Sequence, residues 1–338
     1  MARLIVTMGD PSGIGPEVLV KALPGLLGAE LLLIGDREVW HRAQEIAGVA
    51  GPLRPARAPE PVTAEEIPFL QIAPEEGWEP GRMSPAAGRT AARWLERAVR
   101  LALHGGADAV VFAPLNKEAI IRAGYRIRDE YDFCASLAGV TDYDEMNAIP
   151  HPGGGGILWV ARVTGHVPFR EIAALLTEER VLRTIRLAHR VARASAGAPL
   201  GPPRGPSGPH IGVSALNPHG SEGGLLGDEE SRVIVPAIRA AAAEGLNVSG
   251  PHPADHIFRL ARAGRFDAVV AIYHDQAQIA TKLLGFERGV SVGMGYPFVL
   301  TTPSHGTAFD IAGTGVADPG PMREALALAA RLVDQQMR

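Results

Sequence analysis

Short hydrophobic runs rich in Val, Ile and Leu alternate along this chain with longer segments in which apolar residues recur every three or four positions. The short runs have the composition of buried strands, and the longer segments have the period of amphipathic helices. This alternation is typical of an α/β protein with a largely parallel sheet. The pattern predicts strands at 4–8, 30–34, 108–113, 157–163, 210–215 and 266–273, and helices at 16–23, 36–47, 85–103, 117–123, 168–194, 229–244 and 321–337.

Length and composition bound the kind of protein. A chain of 338 residues exceeds one ordinary core of about 100 to 150 residues, so we expect two lobes. The net charge of -4 gives no electrostatic footprint for nucleic acid, and no apolar run reaches the ~18 to 20 residues needed to cross a bilayer. The single cysteine, Cys134, cannot form an intrachain disulfide, and the N-terminal segment is strand-like, so we expect a cytoplasmic protein.

Three histidines stand where an apolar run gives way to a turn-like segment. His166 follows Val-Thr-Gly, His219 follows Ala-Leu-Asn-Pro, and His274 follows Ala-Ile-Tyr. Neutral imidazoles that converge from separate strand ends can give a divalent ion three ligands and leave a fourth position for substrate. The alternative is that each is an ordinary loop histidine with a hydrogen bond of its own.

A glycine-rich turn, residues 9–17 (Gly-Asp-Pro-Ser-Gly-Ile-Gly-Pro-Glu), joins the first predicted strand to the first helix. Gly13 and Gly15 permit close backbone approach, and the free amides of the first helical turn favour an anion or a polar ligand. As a Rossmann fingerprint the turn is only a half-match, because Val18 stands where the third glycine belongs. The turn is therefore either a ligand site or simply a tight β–α connection.

A second motif, at 303–315, reads Pro-Ser-His-Gly-Thr-Ala-Phe-Asp-Ile-Ala-Gly-Thr-Gly. Together with the glycine-rich turn it resembles the β-decarboxylating dehydrogenases related to isocitrate and isopropylmalate dehydrogenase. That resemblance implies an α/β fold of two α/β/α lobes with the active-site cleft between them, and NAD or NADP as cofactor. The cofactor residues that we predict are Gly13, Gly15, Asn217, His305, Gly306, Thr307, Ala308 and Asp310.

The histidines point to one branch of that superfamily. The turn at 9–17, Pro-Leu-Asn-Lys at 114–117, Leu-Asn-Pro-His at 216–219, Tyr-His-Asp-Gln at 273–276 and His-Gly-Thr-Ala at 305–308 together resemble the 4-hydroxythreonine-4-phosphate dehydrogenase (PdxA) family, over nearly the whole chain. The resemblance implies a homodimer with the active site at the subunit interface. It also implies that His166, His219 and His274 bind a divalent metal, for which we prefer zinc over magnesium, manganese or cobalt.

The implied reaction is oxidation of a secondary alcohol by NAD(P), followed by loss of carbon dioxide. We predict Asp275, beside ligand His274, as the general base, and Lys282 as proton donor or partner of the substrate carboxylate. Asp275 has an equally weighted alternative role, which is to orient the neighbouring histidine. Lys282, also counted among the substrate residues by resemblance, has the alternative of a solvated helix lysine.

The substrate positions depart from the family pattern. The family's His and Thr are Glu130 and Tyr131 here, and its Asn and Arg are Ser291 and Leu300. Loss of an arginine and gain of a carboxylate disfavour a dianionic phosphate, whereas Tyr131 and Leu300 suit a partly apolar substrate. Ser291 and Leu300 also resemble the terephthalate cis-dihydrodiol dehydrogenases.

Three functions therefore stay open. We favour oxidation of a non-phosphorylated hydroxy acid, such as a cis-dihydrodiol carboxylate. The alternatives are 4-hydroxythreonine-4-phosphate dehydrogenase and, from another class, an inactive metal- or ligand-binding homologue. Residues 1–125 with 285–338 are predicted to form the cofactor-binding lobe, and residues 126–284 the lobe for metal, substrate and dimerisation.

Overall fold

The structure is a computed structural model and describes residues 1–26, 29–63, 66–151, 156–195, 208–285 and 288–336. Position 337, the predicted end of the last helix, lies outside these ranges. The strands are β1 (Arg3–Thr7), β2 (Glu30–Gly35), β3 (Leu53–Pro55), β4 (Glu60–Pro61), β5 (Ile67–Gln71), β6 (Ala109–Phe112), β7 (Asp144–Pro150), β8 (Ile157–Thr164), β9 (Ile211–Ser214), β10 (Val248–His252), β11 (Ala268–Tyr273), β12 (Val290–Met294) and β13 (Val299–Pro303).

The helices follow the same order along the chain. They are α1 (Gly15–Ala22), α2 (Arg37–Ala47), α3 (Pro85–Leu103), α4 (Lys117–Arg122), α5 (Glu130–Ala138), α6 (Ile172–Leu175), α7 (Glu178–Ser195), α8 (Val235–Ala243), α9 (Ala254–Arg262), α10 (His274–Gly285) and α11 (Gly320–Gln336).

Side-chain caps fix where several of these helices begin. The Asp36 carboxylate accepts hydrogen bonds from the amides of Glu38 and Val39 at the start of α2. The Ser84 hydroxyl accepts one from Ala87 at the start of α3, where Pro85 occupies the first turn and supplies the φ angle that a helix needs. Gly48 ends α2 in the left-handed conformation, which glycine adopts without steric cost.

The chain divides into two compact units. The first unit comprises Met1–Tyr143 with Val290–Arg338, and the second comprises Asp144–Gly289. This division differs from the predicted lobes, because residues 126–143 belong to the first unit, where α5 packs against α3. At the other boundary, residues 285–289 belong to the second unit, since α10 runs on to Gly285.

The first unit has a mainly parallel sheet in the order β12-β13-β6-β1-β2-β5-β3, in which β12 runs antiparallel to β13 and β4 runs antiparallel to β2. Helices α3 and α11 pack on the central strands, α1 packs against α2 and α11, and α4 and α5 pack against α3. The strands are buried on both faces, as covered parallel strands are.

The second unit has a parallel sheet in the order β10-β9-β11-β8, with β7 antiparallel to β8 at its edge. Helices α7, α9 and α10 pack on these strands. Leu158, Val160, Val269 and Phe266 belong to its buried core. Both units are thus of the α/β type that the hydrophobic pattern predicts.

Two long predicted helices are interrupted. The helix predicted at 168–194 is divided into a 3-10 turn (Phe169–Glu171), α6 and α7, because Leu176 is extended and the Thr177 hydroxyl caps the amide of Arg180 at 3.2 Å. The helix predicted at 229–244 begins instead with a π turn (Glu230–Ile234) ahead of Pro236, which cannot donate to the helical ladder.

Among the helices in the described part of the chain, none combines the length and the hydrophobicity that a membrane span requires.

Candidate active site

The three histidines follow neighbouring strands of the second unit. His166 comes after β8, His219 comes after β9, and His274 follows β11 as the first residue of α10 rather than lying in a loop. Strands β9, β11 and β8 are adjacent and parallel. Because the carboxyl ends of parallel strands meet at one edge of a sheet, the chain brings all three histidines to the same edge.

Two of these rings also carry a carboxylate partner. The Nδ1 of His274 lies 2.7 Å from Asp275 Oδ1, and the Nδ1 of His219 lies 2.6 Å from Glu222 Oε1, a contact that raises the pKa of His219. A carboxylate on one ring nitrogen directs the other nitrogen, Nε2, toward a ligand, which is the usual arrangement around a metal-bound histidine. The donor chemistry therefore fits a divalent ion.

The grouping is incomplete within one chain. The rings of His166 and His274 are adjacent, with centroids 5.0 Å apart. No set of three His, Cys, Asp or Glu side chains in the described ranges of one chain is arranged to hold an ion. The convergence of all three rings, with one or more of them from a partner chain, stays a prediction. His219 lies on a turn where its side chain is 66% exposed.

The turn that carries His219 has an unusual backbone. Residues 219–223 all have positive φ, including the non-glycine residues His219, Ser221 and Glu222 at 55°, 65° and 45°. A left-handed conformation costs roughly 1–2 kcal/mol for each non-glycine residue. Such strain persists only where surrounding contacts impose it, and it concentrates at functional sites.

The exposed face of α10 carries both predicted catalytic residues. Asp275 and Lys282 are exposed and seven residues apart, which places them on the same side of the helix about 10 Å from each other along its axis. Two large apolar residues, Ile279 and Leu283, share this exposed region and are 61% and 82% exposed. The Asp275 carboxylate contacts the His274 ring, which matches the orienting role, and its role as general base stays a prediction.

The two glycine-containing motifs of the first unit lie in contact. The amide of Ile14 donates to the carbonyl of Thr307 at 3.0 Å. A Cβ on Gly13 would lie 2.8 Å from that same carbonyl oxygen, and a Cβ on Gly15 would lie 2.4 Å from the carbonyl oxygen of Met8. These glycines are therefore required by close packing of the chain on itself, whatever ligand the turn binds.

Residues 304–318 lie in the loop between β13 and α11, and a buried ion pair on α1 binds the C-terminal part of this loop. The Lys21 ammonium donates to Glu17 at 2.9 Å and to the carbonyls of Gly315 and Ala317 at 2.7 and 2.8 Å. The Glu17 carboxylate, 3% exposed, also accepts the amide of Ala317. Sequence analysis missed this network, although its signal is the Glu–Lys spacing of four residues on a helix.

Burial shifts the pKa values of two titratable groups near these motifs. Desolvation raises the pKa of Asp10 to about 6, against the lowering effect of its hydrogen bonds with Ser12. Desolvation likewise lowers the pKa of His305, whose Nδ1 lies 3.0 Å from the carbonyl of Gly306. The other His305 nitrogen, Nε2, is buried with no partner in the described ranges. A ring nitrogen of this kind fits a bound polar ligand such as a cofactor.

The remaining predicted cofactor residues are not all grouped with this pair of motifs. Gly306 and Asp310 are exposed in the loop, Thr307 is buried, and Ala308 has a positive φ of 42°. Asn217 belongs to the second unit, and its side-chain amide donates to Glu229 and Glu230. These hydrogen bonds give Asn217 a structural role after β9, and its role as a cofactor residue stays a prediction.

The predicted substrate residues differ sharply in exposure. Glu130 forms an ion pair with Lys117 at 3.4 Å. Tyr131 is 2% exposed and packs edge-on against Phe112, and Leu300 is fully buried. Neither Tyr131 nor Leu300 offers surface to a ligand, so the predicted apolar substrate contact has no support in the structure.

Ser291 is nearly buried, with its hydroxyl 3.2 Å from that of Ser304. It is thus joined to the first residue of the 304–318 loop. Lys282, the remaining predicted substrate residue, lies on α10 in the second unit.

Comparison with solved structures first shows which class of fold the chain adopts. An isocitrate dehydrogenase from Methylococcus capsulatus superposes with a TM-score of 0.53 at 16% identity, covering 99% of this chain and 86% of that one. At that identity the likeness concerns the fold alone, and it confirms the predicted isocitrate dehydrogenase-like architecture. A terephthalate 1,2-cis-dihydrodiol dehydrogenase from Burkholderia xenovorans is closer, at TM-score 0.62 and 29% identity over 99% and 98% of the two chains.

Closer relatives give the family. A 4-hydroxythreonine-4-phosphate dehydrogenase from Klebsiella pneumoniae superposes with a TM-score of 0.81 at 36% identity, over 98% of this chain and all of that one. A 4-hydroxythreonine-4-phosphate dehydrogenase of Geobacter metallireducens is 39% identical over 98% of this chain and 95% of its own length. A D-threonate 4-phosphate dehydrogenase of Salmonella typhimurium is 38% identical over 97% and 98%.

The family model described as pyridoxal phosphate biosynthetic protein PdxA matches residues 28–329. The chain belongs to this family. It is a PdxA-family dehydrogenase, and the predicted resemblance is confirmed.

Proposed function

We propose that this protein oxidises the hydroxyl group of a small phosphorylated hydroxy acid, either 4-hydroxythreonine 4-phosphate or D-threonate 4-phosphate, with NAD or NADP as acceptor. The observation that carries this proposal is the match of nearly the whole chain to dehydrogenases of those two names. The sequence-based preference for a non-phosphorylated substrate is not supported. It depended on the departures at Glu130, Tyr131, Ser291 and Leu300, whereas the relatives that match nearly the whole chain are named for phosphorylated substrates. Tyr131 and Leu300, the predicted apolar contacts, are also buried.

The histidine edge of the second unit supplies the proposed metal site. A divalent ion bound by His166, His219 and His274 would lower the pKa of the substrate hydroxyl and polarise the ketone that forms. Asp275 holds the His274 ring by its Nδ1 and is the proposed acceptor of the hydroxyl proton. NAD or NADP, when bound, would supply a nicotinamide ring that accepts the hydride from the carbon that carries this hydroxyl group. Lys282 is proposed to bind the substrate carboxylate and, if the β-keto acid loses carbon dioxide, to supply the replacing proton.

A homodimer is proposed on the same grounds. Among the described residues of the second unit, four large apolar side chains are more than 60% exposed: Phe169, Leu225, Ile279 and Leu283. Phe169 lies three residues after His166, Leu225 six after His219, and Ile279 and Leu283 share α10 with His274. A second copy covering these residues would bury apolar surface and bring its own histidines toward this edge, completing a ligand set that one chain leaves open.

The direct test is an assay of reduced nicotinamide formation with each of the two phosphorylated acids and a cis-dihydrodiol carboxylate, using NAD⁺ and NADP⁺ and added divalent metal. We expect kcat/KM of about 10⁴ M⁻¹ s⁻¹ or more for a phosphorylated acid. Release of carbon dioxide, measured in parallel, tests the decarboxylation. Higher efficiency on the dihydrodiol would refute the substrate assignment, and no turnover on any compound would favour the inactive homologue.

Two variants test the site itself. His219→Ala should abolish turnover while leaving the affinity for the nicotinamide cofactor within about threefold. Leu283→Glu should convert the dimer to a monomer on analytical ultracentrifugation, because a charge would be buried in the proposed interface. A monomeric wild-type protein would contradict the dimer.

A further inference from the structure

The Gln276 side chain joins the ends of two parallel strands in the second unit. Its Nε2 donates to the carbonyl of Ala215, immediately after β9, at 3.0 Å, and its Oε1 accepts the amide of Ile272, near the end of β11, at 2.9 Å. The backbone pairing of β9 with β11 runs only as far as Val213 and Val270. The carboxamide of Gln276 therefore acts as a peptide group would. It continues the hydrogen bonding between β9 and β11 beyond their last backbone pair.

The residues just after Ala215 are held from a second direction. The Glu230 carboxylate, 3% exposed, accepts the amides of Leu216 and Asn217 at 2.9 and 2.7 Å and the side-chain amide of Asn217 at 2.9 Å. These bonds lower the pKa of Glu230 despite its burial. Residues 215–217 are thus fixed on both sides immediately before the strained turn that begins at His219.

This anchoring has a consequence for the histidine cluster. The turn at 219–223 is left-handed, and only its attachment to fixed residues keeps such a conformation populated. Gln276 belongs to α10, two residues after His274, so a single side chain connects the helix that presents His274 to the strand end that leads into His219.

We propose that Gln276 is a positioning residue for metal binding: it sets the location of the His219 turn relative to His274 by fixing the end of β9 to the end of β11. This rests on the proposed function, because the histidines are taken as metal ligands. Gln276 itself touches neither substrate nor metal in this assignment. Supporting side chains around a metal site change metal affinity by about tenfold to a hundredfold when altered.

The experiment compares wild type with Gln276→Met and Gln276→Glu. The methionine variant keeps the side-chain volume and removes both hydrogen bonds. The glutamate variant keeps an acceptor for Ile272 but faces the Ala215 carbonyl with a second oxygen, which breaks the contact with β9 alone. Gln278→Met is the matched control, since Gln278 lies on the same helix but donates to Asn147 on β7.

Zn²⁺ affinity of the metal-free proteins is measured by titration calorimetry, and amide hydrogen exchange of residues 215–224 is measured without metal. We expect both Gln276 variants to bind Zn²⁺ about tenfold to a hundredfold more weakly and to exchange faster in that segment. Gln278→Met should match wild type in both measurements. Cofactor affinity and the far-ultraviolet circular dichroism spectrum should not change, which separates lost positioning from unfolding.

Folded Gln276 variants that bind Zn²⁺ within threefold of wild type and exchange at the wild-type rate would overturn the proposal. Equal loss in Gln278→Met would also overturn it, because the effect would then be general to α10. If Gln276→Met does not fold, Gln276→Glu decides by the same measurements. A wild-type protein that binds no Zn²⁺ or other divalent ion would defeat the proposed metal site instead, and hydrogen exchange would still test whether Gln276 fixes the turn.

Discussion

The amide of Ile14 donates a hydrogen bond to the carbonyl of Thr307, at 3.0 Å, across nearly three hundred residues of chain. It joins the turn after β1 to the loop after β13, two strands separated in the sheet by β6 alone. Because all three strands are parallel, the segments that follow them lie at one edge. The predicted cofactor residues of the first unit therefore lie together at this edge of the sheet.

Gly13→Ala should disturb that contact. Its new Cβ would lie 2.8 Å from the Thr307 carbonyl oxygen, so the loop must move or the turn must strain. We expect a loss of about 1–3 kcal/mol in the free energy of unfolding and weaker NAD(P) binding, measured by urea denaturation and fluorescence titration. Gly306→Ala is the control for stability, because nothing lies within 4 Å of its Cβ position. Equal stability of the two variants would contradict the packing role of Gly13.

Lys21→Ala should destabilise the first unit by about 3–5 kcal/mol, because it leaves the Glu17 carboxylate buried without its partner. It also removes the donor for the carbonyls of Gly315 and Ala317. Urea denaturation gives the loss in stability, and faster hydrogen exchange of the 304–318 loop should accompany it. Arg82→Ala, which breaks an exposed pair with Glu79, should cost less than about 1 kcal/mol. A loss of that small size in Lys21→Ala would show that the buried network contributes little.

Asp10→Asn should stabilise the protein at neutral pH. Burial raises the pKa of Asp10 from 3.8 to about 6, so between these values the folded state binds more protons than the unfolded state, and rising pH lowers stability. Above pH 6 the substitution removes this loss of stability, which amounts to up to about 3 kcal/mol. Below about pH 4 the substitution should leave the stability unchanged.

Thermal melts at both ends of the range test this. Asp108→Asn is a control in which the effect on stability should have the opposite sign, since the hydrogen bond from Arg3 lowers the pKa of Asp108. This variant should lose the most stability at neutral pH. A Tm for Asp10→Asn that does not exceed the wild-type value at pH 7 would refute the prediction.

Glu130→Gln should favour a phosphorylated substrate. The Glu130 carboxylate pairs with Lys117, and under the proposed function its negative charge would oppose a dianionic phosphate bound beside it. We expect KM for D-threonate 4-phosphate or 4-hydroxythreonine 4-phosphate to fall about twofold to fivefold, the scale of a partly screened charge, while the KM for the nicotinamide cofactor is unchanged. Glu60→Gln, which disturbs the pair with Arg54, should leave all kinetic constants unchanged. An increase in KM with Glu130→Gln would indicate that Glu130 contributes to substrate binding.

The sequence by itself determined the elements with strong periodicity and the order of the motifs. The strands β1, β2, β6, β8 and β11 are mostly apolar because both faces of a covered parallel strand are buried. Strand β10 (Val-Ser-Gly-Pro-His) carries no such pattern and was missed. The family resemblance was equally available, because motifs such as His-Gly-Thr-Ala keep their residues whatever the surrounding packing.

Only the tertiary structure decided which of the predicted site residues are exposed to solvent and which are buried. Tyr131 and Leu300 are predicted substrate residues by the family resemblance, yet both are buried, since burial depends on neighbours that are distant in sequence. Gln276 belongs to the Tyr-His-Asp-Gln motif, but the motif alone does not show what its side chain contacts. Its connection of Ala215 to Ile272 exists because β9 and β11 are adjacent in the sheet, and strand adjacency is a property of the folded chain that no local pattern encodes.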